Sequence, residues 1–208
     1  MSPPRTGLHL ASPPPPDRLT GFPHYRYGPG SAVFRCHGRD REPWWFSGSG
    51  AGRFDLTRPD GTCYTAESEV VALLETFGGL QVAPDYLIDQ RAVSTLRLSG
   101  EVRAADMTSN AAIRFGVTAE VFTTVGYPIT QLWAAALHRV GFGGIRYWAR
   151  HDLAHHAACL ALFGPAGQQQ TESGIGETVR TEHLAGRRDL LSRWETETGM
   201  VILPVSPI

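Results

Sequence analysis

An arginine, a tyrosine and a glutamate recur at even spacing: Arg53, Tyr64 and Glu75 stand eleven positions apart. Each falls on a different expected element. Arg53 ends a glycine-rich loop that follows the aromatic run Trp44-Trp45-Phe46, Tyr64 lies on a strand over 62–66, and Glu75 lies near the end of a helix over 67–77. Three consecutive elements must pack together, so one cation, one aromatic face and one carboxylate suit an anionic, ring-bearing small molecule. The small residues before Gly52 permit close backbone approach to such a ligand. The loop matches neither the dinucleotide fingerprint nor the P-loop. In the last helical turn, the Glu75 carboxylate faces the negative end of the helix dipole, which costs up to about 1 kcal/mol. Either it is kept there for a task or it is an exposed glutamate of no consequence.

Other chemistries are weaker. His151, His155 and Cys159 lie four apart and would share one helical face, a spacing that could bind zinc. The segment turns into an apolar run at Ala158, however, and no fourth ligand is evident. A nucleophile elbow, G-x-S-x-G, does not occur. Ser47 and Ser49 read as solvated loop hydroxyls, and no second carboxylate can be picked for ordinary glycoside hydrolysis.

The elements that must position these residues follow from pattern and punctuation. Residues 1–30 carry prolines 3, 4, 13 to 16, 23 and 29. Proline fixes φ and lacks a donor, so this leader is expected to be extended or poorly ordered. Order is expected from Ala32-Val33-Phe34-Arg35-Cys36, with Val33 and Arg35 on one face. Val70, Val71, Leu74 and Phe77 recur at helical spacing, and Gly78-Gly79 ends that helix. Tyr86 to Arg91 is ambiguous. Strands are expected over 93–98 and 143–148, with 101–106 extending or pairing with the first. Short helices are expected over 110–122 and a longer one over 131–140. Ala158 to Phe163 is nearly continuous apolar sequence, hence a central strand. A polar loop over 167–176, a helix within 182–198 and a strand over 201–205 complete the chain. Strands and helices mix without βαβ alternation, so the expected class is α+β, with a single domain over 31–208 behind the proline-rich leader.

The totals limit the partners. A chain of 208 residues supports one sizeable core, and 42% hydrophobic with 19% charged residues is ordinary globular composition. A formal net charge of −1 removes any general pull toward nucleic acid or anionic membrane. Every basic side chain except histidine is arginine, and six of them (26, 35, 39, 41, 53, 58) fall between Arg26 and Arg58 against three acids. Arginine offers a planar fork for phosphate or carboxylate, although all-arginine usage can also be a composition habit. Three unclustered cysteines fit a reducing cytoplasm. The first sixteen residues have no apolar signal region, and no run approaches the ~18 apolar residues of a membrane span.

Several short motifs occur in an order that resembles the RES domain family. They are Phe34-Arg35-Cys36-His37, Pro43-Trp44-Trp45-Phe46, Gly52-Arg53-Phe54, Gly61-Thr62-Cys63-Tyr64-Thr65-Ala66 and Ala72-Leu73-Leu74-Glu75. Leu98, Arg103, Asp106, Thr130-Gln131, Gly141-Phe142-Gly143-Gly144-Ile145-Arg146-Tyr147 and Cys159-Leu160-Ala161-Leu162-Phe163 extend the likeness over about residues 32–165. The resemblance implies an ADP-ribosyltransferase-like mixed sheet with peripheral helices. It also implies a toxin of a RES–Xre toxin–antitoxin pair that degrades NAD⁺ by hydrolysis or, with inorganic phosphate as co-substrate, by phosphorolysis, without a metal. The family arginine matches Arg53, an earlier arginine Arg35, the tyrosine Tyr64 and the glutamate Glu75. Tyr147 and the position two residues on are implied at the NAD⁺ site, and where the family has serine this chain has Ala149. Implied partners are NAD⁺ and an Xre-like antitoxin, with no direct nucleic-acid or membrane binding, and a homo-oligomer stays open. Two alternatives follow: an ADP-ribosyltransferase acting on a macromolecule, and a weakened or binding-only descendant marked by Ala149.

Overall fold

The computed structural model describes residues 9–169 and 174–204. The first eight residues of the leader, residues 170–173 of the expected polar loop and the end of the expected 201–205 strand lie outside them. In chain order the strands are β1 (His24–Tyr27), β2 (Ala32–Gly38), β3 (Trp45–Phe46), β4 (Asp60–Ala66), β5 (Val82–Pro84), β6 (Arg91–Leu98), β7 (Val102–Asp106), β8 (Gly144–Trp148), β9 (Ala158–Pro165), β10 (Gly167–Gln168), β11 (Gly176–His183) and β12 (Val201–Leu203). The α-helices are α1 (Pro16–Leu19), α2 (Glu69–Phe77), α3 (Asp85–Asp89), α4 (Glu120–Thr123), α5 (Tyr127–Arg139) and α6 (Arg188–Thr198).

Eight strands form one mixed sheet in the order β1-β7-β8-β9-β4-β2-β6-β11. The protein is therefore α+β, as expected. Within this sheet only β7 and β8 pair in parallel among the described residues. Parallel neighbours need a long crossover, and the chain from 107 to 143 supplies it with a 3₁₀ turn (Asn110–Phe115), α4 and α5. The apolar run at β9 lies fourth in the order, so it is central, and its first five residues are buried. Helix α5 carries Pro128 in its first turn and ends on His138 and Arg139, a composition that suits its dipole. It buries Trp133 and Leu137 against Phe54, Phe142 and Tyr147. A second cluster joins α2, α3 and α6 through Leu73, Phe77, Ile88 and Trp194. A third lies under Trp44, Phe46, Leu96 and Leu160.

The leader differs from expectation over its described part. Leu10, Leu19 and Phe22 are buried in the main core, and His24–Tyr27 pairs antiparallel with β7. Trp133 Nε1 donates to the Ala11 carbonyl, 2.8 Å away. Proline sets local conformation but does not prevent packing, so apolar residues between prolines dock on α5. Residues 102–106 do not pair with the strand at 93–98; they lie between β1 and β8, toward the other end of the sheet. Glu182 and His183 close edge strand β11, which sequence reading missed because its outward residues are polar and its burial is slight. Tyr86 to Asp89, ambiguous in sequence, belongs to α3.

One irregularity positions the site. Strands β2 and β4 are neighbours but pair only at Phe34↔Ala66. They diverge beyond that point, and α2 packs beside the gap.

Candidate functional site

A cavity of about 310 Å³ occupies this split. Strand β2 contributes Arg35, β4 contributes Tyr64, α2 contributes Glu75, and β8 contributes Tyr147. Arg53 comes from the glycine-rich loop and Arg150 from the turn after β8. Glu75 is the sole carboxylate lining the cavity and faces three guanidinium groups. Among the described residues none of Arg35, Arg53 and Arg150 forms an ion pair with a carboxylate. Unpaired guanidiniums beside a cavity favour an anionic ligand.

Each arginine is held by backbone carbonyls instead. Arg35 Nη1 donates to Pro43 O at 2.5 Å and Trp45 O at 2.9 Å, and approaches Cys63 Sγ at 2.8 Å. This guanidinium bridges β2, β4 and the segment between them where the ladder is open. Arg53 Nη1 donates to Thr124 O at 3.0 Å and Val121 O at 3.3 Å, with its guanidinium 5.4 Å from the Tyr127 ring centre. Arg150 Nη2 also donates to Thr124 O, and its buried Nε has no hydrogen-bond partner among the described residues. Burial, with the neighbouring Arg150 charge, lowers the Arg53 pKa from its ordinary value. Proximity of like charges is tolerated where a counter-anion relieves it.

Glu75 opens to the cavity, yet the surrounding protein desolvates its carboxyl and raises its pKa. The Tyr147 hydroxyl opposes that shift by donating to Oε2 at 2.8 Å, as do the charges of Arg53 and Arg150. Tyr147 is 1% exposed and packs edge-on against Phe54, with ring centres 5.0 Å apart. Its own phenol is pushed well above the usual value by burial and by the Glu75 charge, so it remains a hydrogen-bond donor. The dipole penalty of a last-turn glutamate is thus offset by one strong donor and two cations. Burial, with the adjacent arginines, lowers the His151 pKa, leaving a neutral imidazole at the cavity wall.

The glycine-rich loop is tied down by a buried acid that sequence reading did not single out. Asp55 Oδ2 accepts from Ser47 Oγ at 2.9 Å and Ser49 Oγ at 3.2 Å, while Oδ1 accepts from Tyr64 OH at 2.9 Å. The Tyr64 oxygen in turn accepts from Phe54 N at 2.8 Å. The two serines, half-exposed and exposed as the sequence suggested, therefore also anchor the loop. A Cβ at Gly52 would overlap both the Asp55 carboxylate and the Tyr64 hydroxyl, so only glycine fits. From α5, Thr130 Oγ1 donates to Arg53 O at 2.5 Å, and Gln131 Nε2 donates to Gly50 O and Gly52 O. Helix, strand and loop thus converge on the backbone that carries Arg53.

Of the residues expected at a site, Arg35, Arg53, Tyr64, Glu75 and Tyr147 line the one cavity. Ala149 does not. It is 2% exposed and lines a neighbouring cavity with Met107 and Trp148. It lies past the end of β8, where the chain turns and Asp152 N bonds back to the Ala149 carbonyl. The residues that reach the Glu75 cavity from this turn are Arg150, missed in the sequence, and His151, expected only as a zinc candidate. Their signal was a basic pair directly after a strand that ends beside Tyr147. Of the zinc candidates, His155 stacks on Trp148 at 4.7 Å and Cys159 is buried in β9. Among the described residues no group of three or more His, Cys, Asp or Glu is placed to hold a metal.

A model of the RES domain matches residues 32–184, most of the chain. The chain belongs to the RES domain family. No curated protein matches the sequence. In fold, the RES domain described here is similar to a chain in the crystal structure of the M. tuberculosis MbcT–MbcA toxin–antitoxin complex, with a TM-score of 0.63 at 16% identity. That match covers 85% of this chain and 95% of the other. Among the described residues no helix of this RES protein is long and apolar enough to cross a membrane.

Proposed function

We propose that this protein degrades NAD⁺ by breaking the bond between nicotinamide and ribose, and that it is the toxin of a toxin–antitoxin pair. The observation that supports this reading most is the cavity in which Glu75, paired with the Tyr147 hydroxyl, faces three arginines that form no ion pair among the described residues. Such a cavity matches a ligand with an anionic diphosphate and a cationic ring, and nothing in its make-up favours a neutral substrate.

In the proposed reaction the C1′–N bond breaks and its electron pair leaves on the nicotinamide nitrogen, neutralising the ring. The ribose passes through an oxocarbenium-like cation. Glu75 stabilises that charge most strongly in the transition state, where catalysis requires it. Arg53 and Arg150, with Arg35 behind them, hold the diphosphate through charge-assisted forks. Tyr64 holds the Arg53 loop through its hydroxyl and offers its ring as the cavity wall, against which nicotinamide or its ribose packs. An oxygen of water or of inorganic phosphate then forms the new C1′–O bond, and water loses a proton to solvent in the hydrolytic case.

The weakened-enzyme alternative was motivated by Ala149, and that residue lies outside the Glu75 cavity. The neighbouring cavity that it lines shares Arg150 with the Glu75 cavity, so nicotinamide release by the wild type decides between turnover and a binding-only role. The toxin role and a protein antitoxin, Xre-like in the family resemblance, are carried over from the RES domain and from the toxin–antitoxin complex that the fold resembles. We assign the cytoplasm on three free thiols. The test is chromatography of NAD⁺ incubated with the purified protein, with and without phosphate, beside Glu75→Gln. Free nicotinamide from the wild type and at least a hundredfold less from the variant is the expected result. Equal release by both removes Glu75 from this role. Label from NAD⁺ retained on a macromolecule replaces the reading with ADP-ribosyl transfer.

A further inference from the structure

The Glu75 cavity, at about 310 Å³, lies at the lower end of the ~300–1,000 Å³ typical of small-molecule sites. A dinucleotide has two nucleoside halves, so one half must extend beyond it. A second compartment, of about 330 Å³, shares Arg35, Cys36 and Thr76 with the first. Glu75 and Tyr147 line the first only, which leaves the second for the end of the ligand away from the reacting bond. Trp45, half-buried, supplies an aromatic wall there. Arg41 and Arg91 supply two further guanidiniums, against the single carboxylate of Glu42. Among the described residues neither arginine has an ion-pair or side-chain hydrogen-bond partner, and Arg91 Nε is buried. His37, in the same wall, is held below its ordinary pKa by burial, so it adds no charge.

The shared Arg35 already stands where a diphosphate would bridge the two compartments. Two more unpaired arginines are in excess of what a plain adenosine needs. We propose that the compartment bounded by Arg41 and Arg91 is an anion subsite for the adenosine end of the substrate, and that it accepts a dinucleotide with an additional phosphate on that ribose. This rests on the NAD⁺-degrading reading of the Glu75 cavity.

The test compares binding of adenosine 2′,5′-bisphosphate with that of AMP, and turnover of NADP⁺ with that of NAD⁺, in the full chain. The expected wild-type result is at least tenfold tighter binding of the bisphosphate, the factor given by one charge-assisted hydrogen bond of about 1.4 kcal/mol. Arg91→Gln and the exposed Arg41→Gln should each reduce that ratio severalfold or more, and Arg91→Lys should retain part of it. Equal affinity for the two nucleotides, or equal loss for both in the variants, overturns the subsite while NAD⁺ turnover keeps the underlying reading intact. Failure of the protein to bind or cleave either dinucleotide removes both together.

Discussion

Substituting Asp55 with alanine isolates the device that holds the glycine-rich loop. The variant deletes three accepted hydrogen bonds at once. Ser47 and Ser49 lie 2.9 Å apart and half-exposed or exposed, so they can satisfy each other or water, and each loss costs about 0.5 kcal/mol. The Tyr64 hydroxyl is in a different position. It lies deep in the protein and donates to a carboxylate, an interaction of about 1.5–3 kcal/mol. Removing the buried Asp55 charge returns part of its desolvation cost. The net is about 2–3 kcal/mol, or about 4–12 °C in Tm for a chain of this size. Thermal unfolding of Asp55→Ala, Tyr64→Phe and the double variant measures it. Coupling between the two sites of about 1 kcal/mol or more is expected, because both single changes break the shared Tyr64–Asp55 bond. Asp55→Asn, which keeps an acceptor for Tyr64, should fall less. If the double variant loses the simple sum of the single losses, within about 0.3–0.5 kcal/mol, Tyr64 and Asp55 act independently and the anchoring argument is wrong.

Three further perturbations test other links. Tyr147→Phe removes the donor that opposes desolvation of Glu75, so the Glu75 pKa rises further. Activity that needs the ionised carboxylate is lost as pH falls through that raised value, so the acid limb of the kcat/KM profile moves to higher pH; an unmoved limb separates Tyr147 from the titration. Glu67→Gln weakens a partly buried knot in which Glu67 accepts from Arg146 Nε at 2.9 Å and Tyr27 OH at 2.6 Å. With side chains 16% and 25% exposed and Arg146 still near Asp106, about 2 kcal/mol is expected in denaturant unfolding, not the 3–5 of a fully buried pair. Desolvation raises the Glu67 pKa, but the Arg146 and Tyr27 bonds outweigh it, so the carboxyl is held below its ordinary value. Its contribution is present above the ordinary carboxylate range and disappears as pH falls through the depressed value, so the variant should show a shallower acid transition. Deleting residues 1–30 should unfold the protein. It exposes the partners of Leu10, Leu19, Phe22 and Tyr27, at about 1.5–3 kcal/mol each, a sum comparable with the whole stability of a domain; a soluble, cooperatively melting truncation contradicts this.

What the sequence disclosed follows from where the information is stored. Strands such as β6 and β9 and helices α2 and α5 carry their own periodicity, and their positions were legible to within a few residues. Pairing is non-local, and no pattern at 102–106 says that its neighbours are residues 24–27 and 144–146. The leader was misjudged for a related reason: proline content describes local stiffness, whereas Leu19 and Phe22 are ordered by α5 more than a hundred residues away. Edge strand β11, mostly exposed, has little apolar signature to read.

The site separates along the same line. Arg35, Arg53, Tyr64, Glu75 and Tyr147 share a cavity; the types and spacing of Arg53, Tyr64 and Glu75 pointed to those three, whereas Arg35 and Tyr147 came from the family resemblance. What could not be read was how each is held. Asp55 looked like any loop acid, yet it fixes Tyr64 and the serines. Arg150 looked like any strand-end cation, yet it shares the Thr124 carbonyl with Arg53. Two guanidiniums are held on one carbonyl oxygen beside the single carboxylate of Glu75, a net positive cluster that an anion relieves. The sheet makes room for this cluster by leaving β2 and β4 unpaired beyond a single residue pair. Closing that ladder would give a more stable sheet and no cavity.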